Sequence, residues 1–233
     1  MEPLKTMDCK KPLLKCQFHT HAKGDGLEQI KHSPKELIDH AAKLKYDVLS
    51  ITSHRKVIFN KELKKYAKKK GILLISGIEF EINKKHILGI NMDKEIEKIK
   101  TFDELRIYKK HHPECLIIAP HPFFPGSCTL KKDLINNIEV FDAIENSFCY
   151  TKFKNYNKKA ISLAKRWRKP IIATSDCHIL EYLDLGYTLV KSKKEKDGII
   201  EAIKKNKIKT VSAAINPFKL GKIYVRMTMI KTI

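Results

Sequence analysis

The chain has 233 residues, 42% of them hydrophobic, so it can bury one sizeable core and a single domain is expected. No stretch approaches roughly eighteen consecutive apolar residues and the N-terminus lacks the apolar run of a signal peptide, which predicts a cytoplasmic protein with no membrane partner. The net charge of +21 favours anionic ligands, but nearly all of the 47 basic residues are Lys spread along the chain, which indicates a compositional bias more than a dedicated nucleic-acid surface.

Short β-branched or apolar runs alternate with Lys- and Glu-rich stretches from end to end. This alternation is typical of parallel βαβ units, and seven or eight strands are enough to close a single α/β barrel. The predicted strands cover 13–19, 46–52, 72–80, 86–91, 115–121, 143–148, 170–176 and 188–190. The predicted helices cover 34–45, 60–70, 101–112, 156–168 and 195–205.

The ends of these elements carry turn and cap signals. Ser33 followed by Pro34 and Glu36 is a capping box with proline at the first helical position. The stretch 122–126 is predicted to be a loop from its Pro and Gly content. We expect one domain over 1–233, with the motifs in 13–190, and with 191–233 holding a final helix or strand and a tail whose alternation suggests an edge strand or packing arm.

Imidazole and carboxylate side chains collect at the downstream ends of the predicted strands. In a barrel of parallel strands these ends meet at one face, where catalytic residues gather. Any one of these residues alone is more simply explained as a hydrogen-bonded loop residue, but their joint placement predicts a metal site. The residues are His19, His21, His54, Glu79, His121, Asp176 and His178.

The spacing and the donor types suggest the kind of metal. On extended backbone residues i and i+2 face the same side, so His19 with His21, and Asp176 with His178, can each reach one ion. Imidazole and carboxylate without thiolate suit Zn²⁺, Mn²⁺ or Fe, and the six scattered cysteines, with no C-x-x-C pair, are predicted to be reduced thiols. The donors exceed what one ion needs, so two or three ions bridged by Glu79 are expected.

The motif series FHTHAKGDG, ITSH, GIEFE, HILGI, PHP and SDCH, spanning residues 18–178, resembles that of the PHP (polymerase and histidinol phosphatase) superfamily. Members are distorted seven-stranded (β/α) barrels that hold up to three metal ions, usually Zn²⁺, Mn²⁺ or Fe. Most known members hydrolyse phosphomonoesters or phosphodiesters. The resemblance therefore implies a distorted (β/α)7 barrel and a metal-dependent phosphoesterase.

The resemblance also implies three ligand sets and adds two residues, His86 and Asp25, to those at strand ends. Two departures affect the third set: the common T-D-H motif reads Thr52-Ser53-His54, and Asp25 follows His21 by only four residues. The implied sets are His19, His21, Glu79 and Asp176 for the first ion, Glu79, His86 and His121 for the second, and Asp25, His54 and His178 for the third.

A two-metal mechanism needs no protein nucleophile, because the ions activate water and neutralise phosphate charge. The predicted catalytic residues are therefore Glu79, Asp176 and Arg55, the last for recognition of phosphate oxygens by its planar guanidinium. Asn146, Phe123 and Phe124 are candidates for contact with the alcohol or base of a small phosphorylated or nucleotide-derived substrate.

Two other functions stay open at this point. A PHP-like module with a vestigial metal site could bind nucleic acid or a partner protein, although such modules usually lose ligands and this chain keeps all nine positions. Metal-dependent hydrolysis of C–N bonds on a related barrel is less favoured, because no carbamylated or catalytic Lys is evident at the expected strand end. Nucleic acid stays open as a partner, and the oligomeric state is not predicted.

Overall fold

A computed structural model of the protein describes residues 12–230, and within that range no helix is long and apolar enough to cross a membrane. The strands are β1 (Leu13–Gln17), β2 (Val48–Ile51), β3 (Leu73–Ile82), β4 (Lys85–Ile90), β5 (Leu116–Ala119), β6 (Ala143–Ser147), β7 (Ile171–Thr174), β8 (Gly186–Lys191) and β9 (Ile208–Ser212). The helices are α1 (Pro34–Lys43), α2 (Lys61–Lys69), α3 (Phe102–His111), α4 (Lys132–Asn136), α5 (Asn157–Arg166), α6 (Lys196–Lys204) and α7 (Pro217–Thr228), with short 3₁₀ helices at Lys94–Lys98 and Leu180–Tyr182.

The strands form one sheet in the order β7-β6-β5-β4-β3-β2-β1-β8-β9. β1 to β3 are mutually parallel, as are β5 to β7, whereas β4 runs antiparallel to both of its neighbours. Beyond β1 and β7 the chain closes the ring, because Thr20 bridges Cys177 and the Cys177 backbone N–H donates to His19 O over 3.1 Å. The sheet is thus a nearly closed barrel, in which β8 pairs with β1 and also reaches β7 through hydrogen bonds between Thr188 and Ala173, and this confirms the predicted α/β barrel class.

Side chains of successive strand residues alternate between the barrel interior and the surrounding helices. In β5, Leu116 and Ile118 belong to an apolar cluster shared by seven of the other strands and by α6, whereas Ile117 and Ala119 pack with α3, α4 and α5. In β3, Ile75 belongs to the same interior cluster. The interior register of each strand therefore decides which residues reach the mouth of the barrel.

The C-terminal segment corrects one prediction. Residues 217–228 form α7 and not an edge strand, since the Asn216 side chain accepts from Phe218 N over 2.9 Å and Pro217 takes the first helical position. Leu220, Ile223 and Met227 follow helical spacing and pack in a small cluster with Phe148, Tyr182 and Ile215. β9 and α4 were not predicted either, and residues 231–233 of the predicted tail lie outside the described range.

Candidate metal centre

A cleft of about 260 Å³ opens at the mouth of the barrel. Imidazole and carboxylate groups make up much of its lining, and none of the residues lining it is Lys or Arg. Carboxylates buried without a basic partner are costly, so the cleft needs cations from elsewhere. The polar lining residues that carry these groups are Glu28, His54, Glu79, His86, His121, Asp176 and His178.

The interior register of the strands delivers these side chains. Glu79 lies four residues after Ile75 in β3, on the interior face and at the mouth. His86 shares the interior face of β4 with Leu88 and Ile90, which both belong to the interior cluster. Because β4 runs antiparallel to β3, the N-terminal end of β4 lies at the mouth, where the register pairs His86 with Glu81.

The first predicted ligand set converges in the structure. The His19 Nε2 atom lies 3.2 Å from Glu79 Oε2 and 3.1 Å from Asp176 Oδ1. The His21 Nε2 atom lies 3.4 Å and 3.2 Å from the same two oxygens. One donor atom from each of the four residues falls within 4.8 Å of the others, a spacing that fits a single ion.

Glu79 faces a second group of donors with its other oxygen. Its Oε1 atom lies 2.8 Å from His86 Nδ1 and 3.4 Å from His121 Nε2, while His54 Nε2 approaches Oε2 at 3.1 Å. Both Glu79 Oε1 and His86 Nδ1 are buried atoms without a hydrogen bond, although they face each other. Two metal-ligating atoms without a hydrogen bond that face each other fit a shared cation, because a buried polar atom without any partner loses its hydration free energy without compensation.

The third set is arranged differently from what the resemblance implies. His21, His54 and His178 bring their ring nitrogens within 4.8 Å of one another. The Asp25 carboxylate lies behind two of these rings, with Oδ2 3.0 Å from His21 Nδ1 and 3.1 Å from His54 Nδ1. The carboxylate that faces His178 from the cleft belongs to Glu28, whose Oε2 atom is 3.0 Å from His178 Nε2.

Two of the predicted ligands have strained backbone. His121 and Asp176 follow β5 and β7 with φ values of 28° and 42°, in the left-handed region that non-glycine residues seldom adopt. Arg55, after His54, has a φ of 58°. Strained residues of this kind collect at functional sites, where the surrounding structure holds them in place.

The charges of these groups are strongly coupled. Burial by itself lowers the pKa of His54, but the carboxylates of Glu79 and Asp25 outweigh it and raise that pKa to about 10. Burial by itself raises the pKa of Asp176, but the neighbouring imidazoles, with His19 first among them, outweigh it and hold the pKa well below its usual range. Without a metal ion, an imidazole with a raised pKa such as that of His54 takes up a proton and balances the carboxylates, and an ion would take over that role.

Glu145 is the main residue of the site that the sequence analysis missed. Its Oε1 atom accepts from His19 Nδ1 over 2.8 Å and from the Thr174 hydroxyl, and its Oε2 atom accepts from the His121 backbone N–H over 2.5 Å. Because the carboxylate accepts a hydrogen bond from Nδ1–H, His19 presents the lone pair of Nε2 to the cleft. The signal lay in the alternation of β6, where Glu145 shares the interior face with Ala143.

Of the residues predicted to contact the substrate, Phe124 lines the cleft and Phe123, Asn146 and Arg55 do not. Phe124 lines the cleft and its ring lies 5.4 Å from that of Tyr156, whereas Phe123 packs against the core. Asn146 does not line the cleft. Arg55 does not line it either, since its guanidinium is held by Glu81, with 2.7 Å between Nε and Oε2.

Known proteins resemble this chain in sequence and in fold. The family model described as PHP-associated matches residues 154–208, a segment that contains Asp176 and His178. An uncharacterised protein of Methanocaldococcus jannaschii is 27% identical over 175 residues, which cover 67% of this chain and 100% of that protein.

Two solved structures with the same fold are a predicted phosphoesterase and an endonuclease. A two-domain protein from Bacteroides vulgatus, which contains a predicted PHP-like metal-dependent phosphoesterase, has a TM-score of 0.68 and 22% identity, covering 94% of this chain and 71% of that one. The lesion-specific endonuclease Q from Pyrococcus furiosus has a TM-score of 0.56 and 16% identity, covering 88% of this chain and 60% of that one. At these identities the structures show a shared PHP-like fold, and this chain spans less than two thirds of endonuclease Q.

Proposed function

We propose that this protein is a metal-dependent hydrolase of phosphate esters, because it has the PHP-like fold and a segment that matches the PHP-associated family model. The observation that carries the proposal is the placement of Glu79. Its Oε2 atom faces His19, His21 and His54, and its Oε1 atom faces His86 and His121. A carboxylate between two groups of imidazoles is suited to bridging two divalent ions.

The residues present fit such ions. His19, His21, Glu79 and Asp176 would hold the first, and Glu79 with His86 and His121 would hold the second. When bound, divalent ions supply Lewis acidity, which withdraws charge from phosphoryl oxygens and makes water a nucleophile near neutral pH. The donors are imidazole and carboxylate, which suit Zn²⁺, Mn²⁺ or Fe.

The chain's own residues hold the ligands in position. Glu145 fixes the ring of His19, and Asp25 does the same for His21 and His54 by accepting at their Nδ1 atoms. Each of these rings therefore turns its Nε2 atom towards the cleft. Because the ligands are buried and backed by hydrogen bonds, the site needs little rearrangement when it binds its ions and substrate.

The remaining lining residues of the cleft indicate what part of the substrate lies there. They are mostly apolar, and two of their aromatic side chains, Phe124 and the exposed Tyr224 of α7, come from different parts of the chain. An ester with a planar leaving group, such as a nucleoside, could place its phosphate among the imidazoles and its ring against these aromatics. We therefore favour a small nucleotide-like phosphoester over a long duplex, in keeping with a cleft of about 260 Å³.

The first test is hydrolysis of the mono- and bis-p-nitrophenyl esters of phosphate by protein supplied with Mn²⁺ or Zn²⁺, with bound metal counted on the same sample. We expect turnover that is abolished by chelator. His19→Ala and Asp176→Ala should abolish turnover and lower the metal content while circular dichroism remains that of the wild type. Full activity in either variant would show that the metal assignment is wrong.

The same measurement tests the alternative of a vestigial site. A nucleic-acid or protein binding module would hold no metal and release no p-nitrophenol from either ester. The nine positions at which the family resemblance implies metal ligands all hold His, Asp or Glu in this chain, which favours the enzyme. The control variant is Glu62→Gln on α2, because that carboxylate is exposed and does not line the cleft.

A further inference from the structure

We propose that Glu28, and not Asp25, supplies the carboxylate ligand of a third metal ion, together with His54 and His178. This inference rests on the proposed function, since it deepens the description of the same metal centre. It is carried by the different surroundings of the two carboxylates. The Asp25 carboxylate accepts from several backbone N–H groups, whereas the Glu28 carboxylate has a buried oxygen that faces only the His178 imidazole.

The Asp25 carboxylate has no lone pair directed into the cleft. Its Oδ1 atom accepts from the backbone N–H groups of Leu27 and Glu28 over 2.9 Å and 3.0 Å. Its Oδ2 atom accepts from the His54 backbone N–H over 2.8 Å and lies 3.0 Å from His21 Nδ1. A carboxylate with this many donors is already stabilised as the anion, and metal coordination would have to break several of these bonds.

The Glu28 carboxylate is in the opposite situation. Its Oε2 atom is buried and lies 3.0 Å from His178 Nε2, and no other donor in the described part of the chain reaches it. His178 Nδ1 lies 2.9 Å from the carbonyl oxygen of Asp176, which can only accept, so this ring nitrogen carries the proton. In neutral His178 the Nε2 lone pair then faces a carboxylate oxygen, and a cation between them satisfies both atoms.

The loop geometry explains how Glu28 reaches this position. Gly26 N donates to His54 O over 2.9 Å, and a Cβ atom at Gly26 would lie 2.5 Å from that oxygen. Glycine therefore lets the loop lie directly on the backbone of His54. Asp25 then holds the following turn through Glu28 N, which aims the Glu28 side chain into the cleft. Asp25 acts as a positioning residue for the loop and for two imidazoles.

The test counts bound ions in Mn²⁺-loaded, desalted protein by mass spectrometry of the metal. We expect three ions per chain in the wild type and in the Glu62→Gln control, and two in Glu28→Gln. Gln has nearly the same size as Glu, and the Glu28 side chain is about one quarter exposed, so this substitution should not disturb the fold. Asp25→Asn should bind with roughly 10- to 100-fold lower affinity but still reach three ions at saturation, as expected for a residue that orients ligands.

The reverse pattern, with three ions in Glu28→Gln and two in Asp25→Asn, would assign the ligand to Asp25 and overturn the proposal. So would a wild type that saturates at two ions, although the proposed function would then stand. If both variants lose an ion, anomalous scattering from a Mn²⁺-soaked wild-type crystal decides, because the nearer carboxylate to the third peak is the ligand. Absence of any metal in the wild type would overturn both proposals.

Discussion

The Glu145 carboxylate touches ligands of both predicted ions, since Oε1 accepts from His19 Nδ1 over 2.8 Å and Oε2 accepts from the His121 backbone N–H. It is completely buried and reaches the cleft only through these neighbours. Its contribution is to fix a ring and a strained turn, because His121 has a φ of 28°. Loss of its charge should therefore weaken metal binding without removing a ligand.

We expect Glu145→Gln to lower metal affinity by roughly 10- to 100-fold, the usual effect of removing a partner that orients a ligand. Calorimetric titration with Mn²⁺ measures the change. At saturating Mn²⁺ most of the activity should return, which separates an orienting role from coordination. Wild-type affinity in this variant would mean that the hydrogen bond to His19 does not matter for the metal site.

Tyr224 on α7 should contribute to binding of a planar leaving group, because its aromatic side chain lines the cleft. Stacking on an aromatic side chain is worth about 1–3 kcal/mol per base when measured by alanine substitution. Tyr224→Ala should thus raise KM for p-nitrophenyl phosphate by at least about fivefold and leave KM for an alkyl phosphate unchanged. Equal effects on the two substrates would argue against stacking.

Val225 offers a matched control for that experiment. It is the next residue of α7, is 59% exposed, and does not line the cleft. Val225→Ala should leave both KM values at the wild-type level. A rise in KM in this variant would show that any truncation of the helix disturbs the cleft, and that the effect of Tyr224→Ala is not specific to the aromatic ring.

Arg55 is expected to assist binding of an anionic substrate from the rim of the site. Its guanidinium is paired with Glu81 and half of its side chain is exposed, so it must exchange this partner for phosphate oxygens. Arg55→Ala should chiefly raise KM, by roughly tenfold, which corresponds to about 1.4 kcal/mol. Steady-state kinetics with a phosphomonoester measures it, and an unchanged KM would remove Arg55 from the substrate site.

The capping box at the start of α1 makes a prediction about stability. The Ser33 hydroxyl accepts from Glu36 N over 3.2 Å, and the Glu36 carboxylate accepts from Ser33 N over 2.7 Å. Ser33→Ala should lower the free energy of unfolding by about 1 kcal/mol, which lowers Tm by roughly 2–4 °C in a chain of this length. Thermal melting checks it, with Ser127→Ala, in an exposed loop, expected to show no change.

The sequence alone was sufficient for the barrel and for most of the candidate ligands. Strand and helix periodicities are local properties, and the eight predicted strands all form within a few residues of their predicted bounds. The H-x-H pair of His19 and His21 and the D-x-H pair of Asp176 and His178 follow strands, and parallel strands bring such ends together whatever the details of packing. These features depend on spacing along the chain, which a sequence displays directly.

Only the tertiary structure decided the features that depend on strand direction and on contacts between distant residues. His86 begins its strand, and it reaches the mouth because β4 runs antiparallel, which spacing does not reveal. Glu145 reads as an ordinary strand residue until the barrel places it against His19, 126 positions away. The choice between Asp25 and Glu28 depends on which carboxylate the folded loop surrounds with donors, and one of these donors, the His54 backbone N–H, comes from a distant segment.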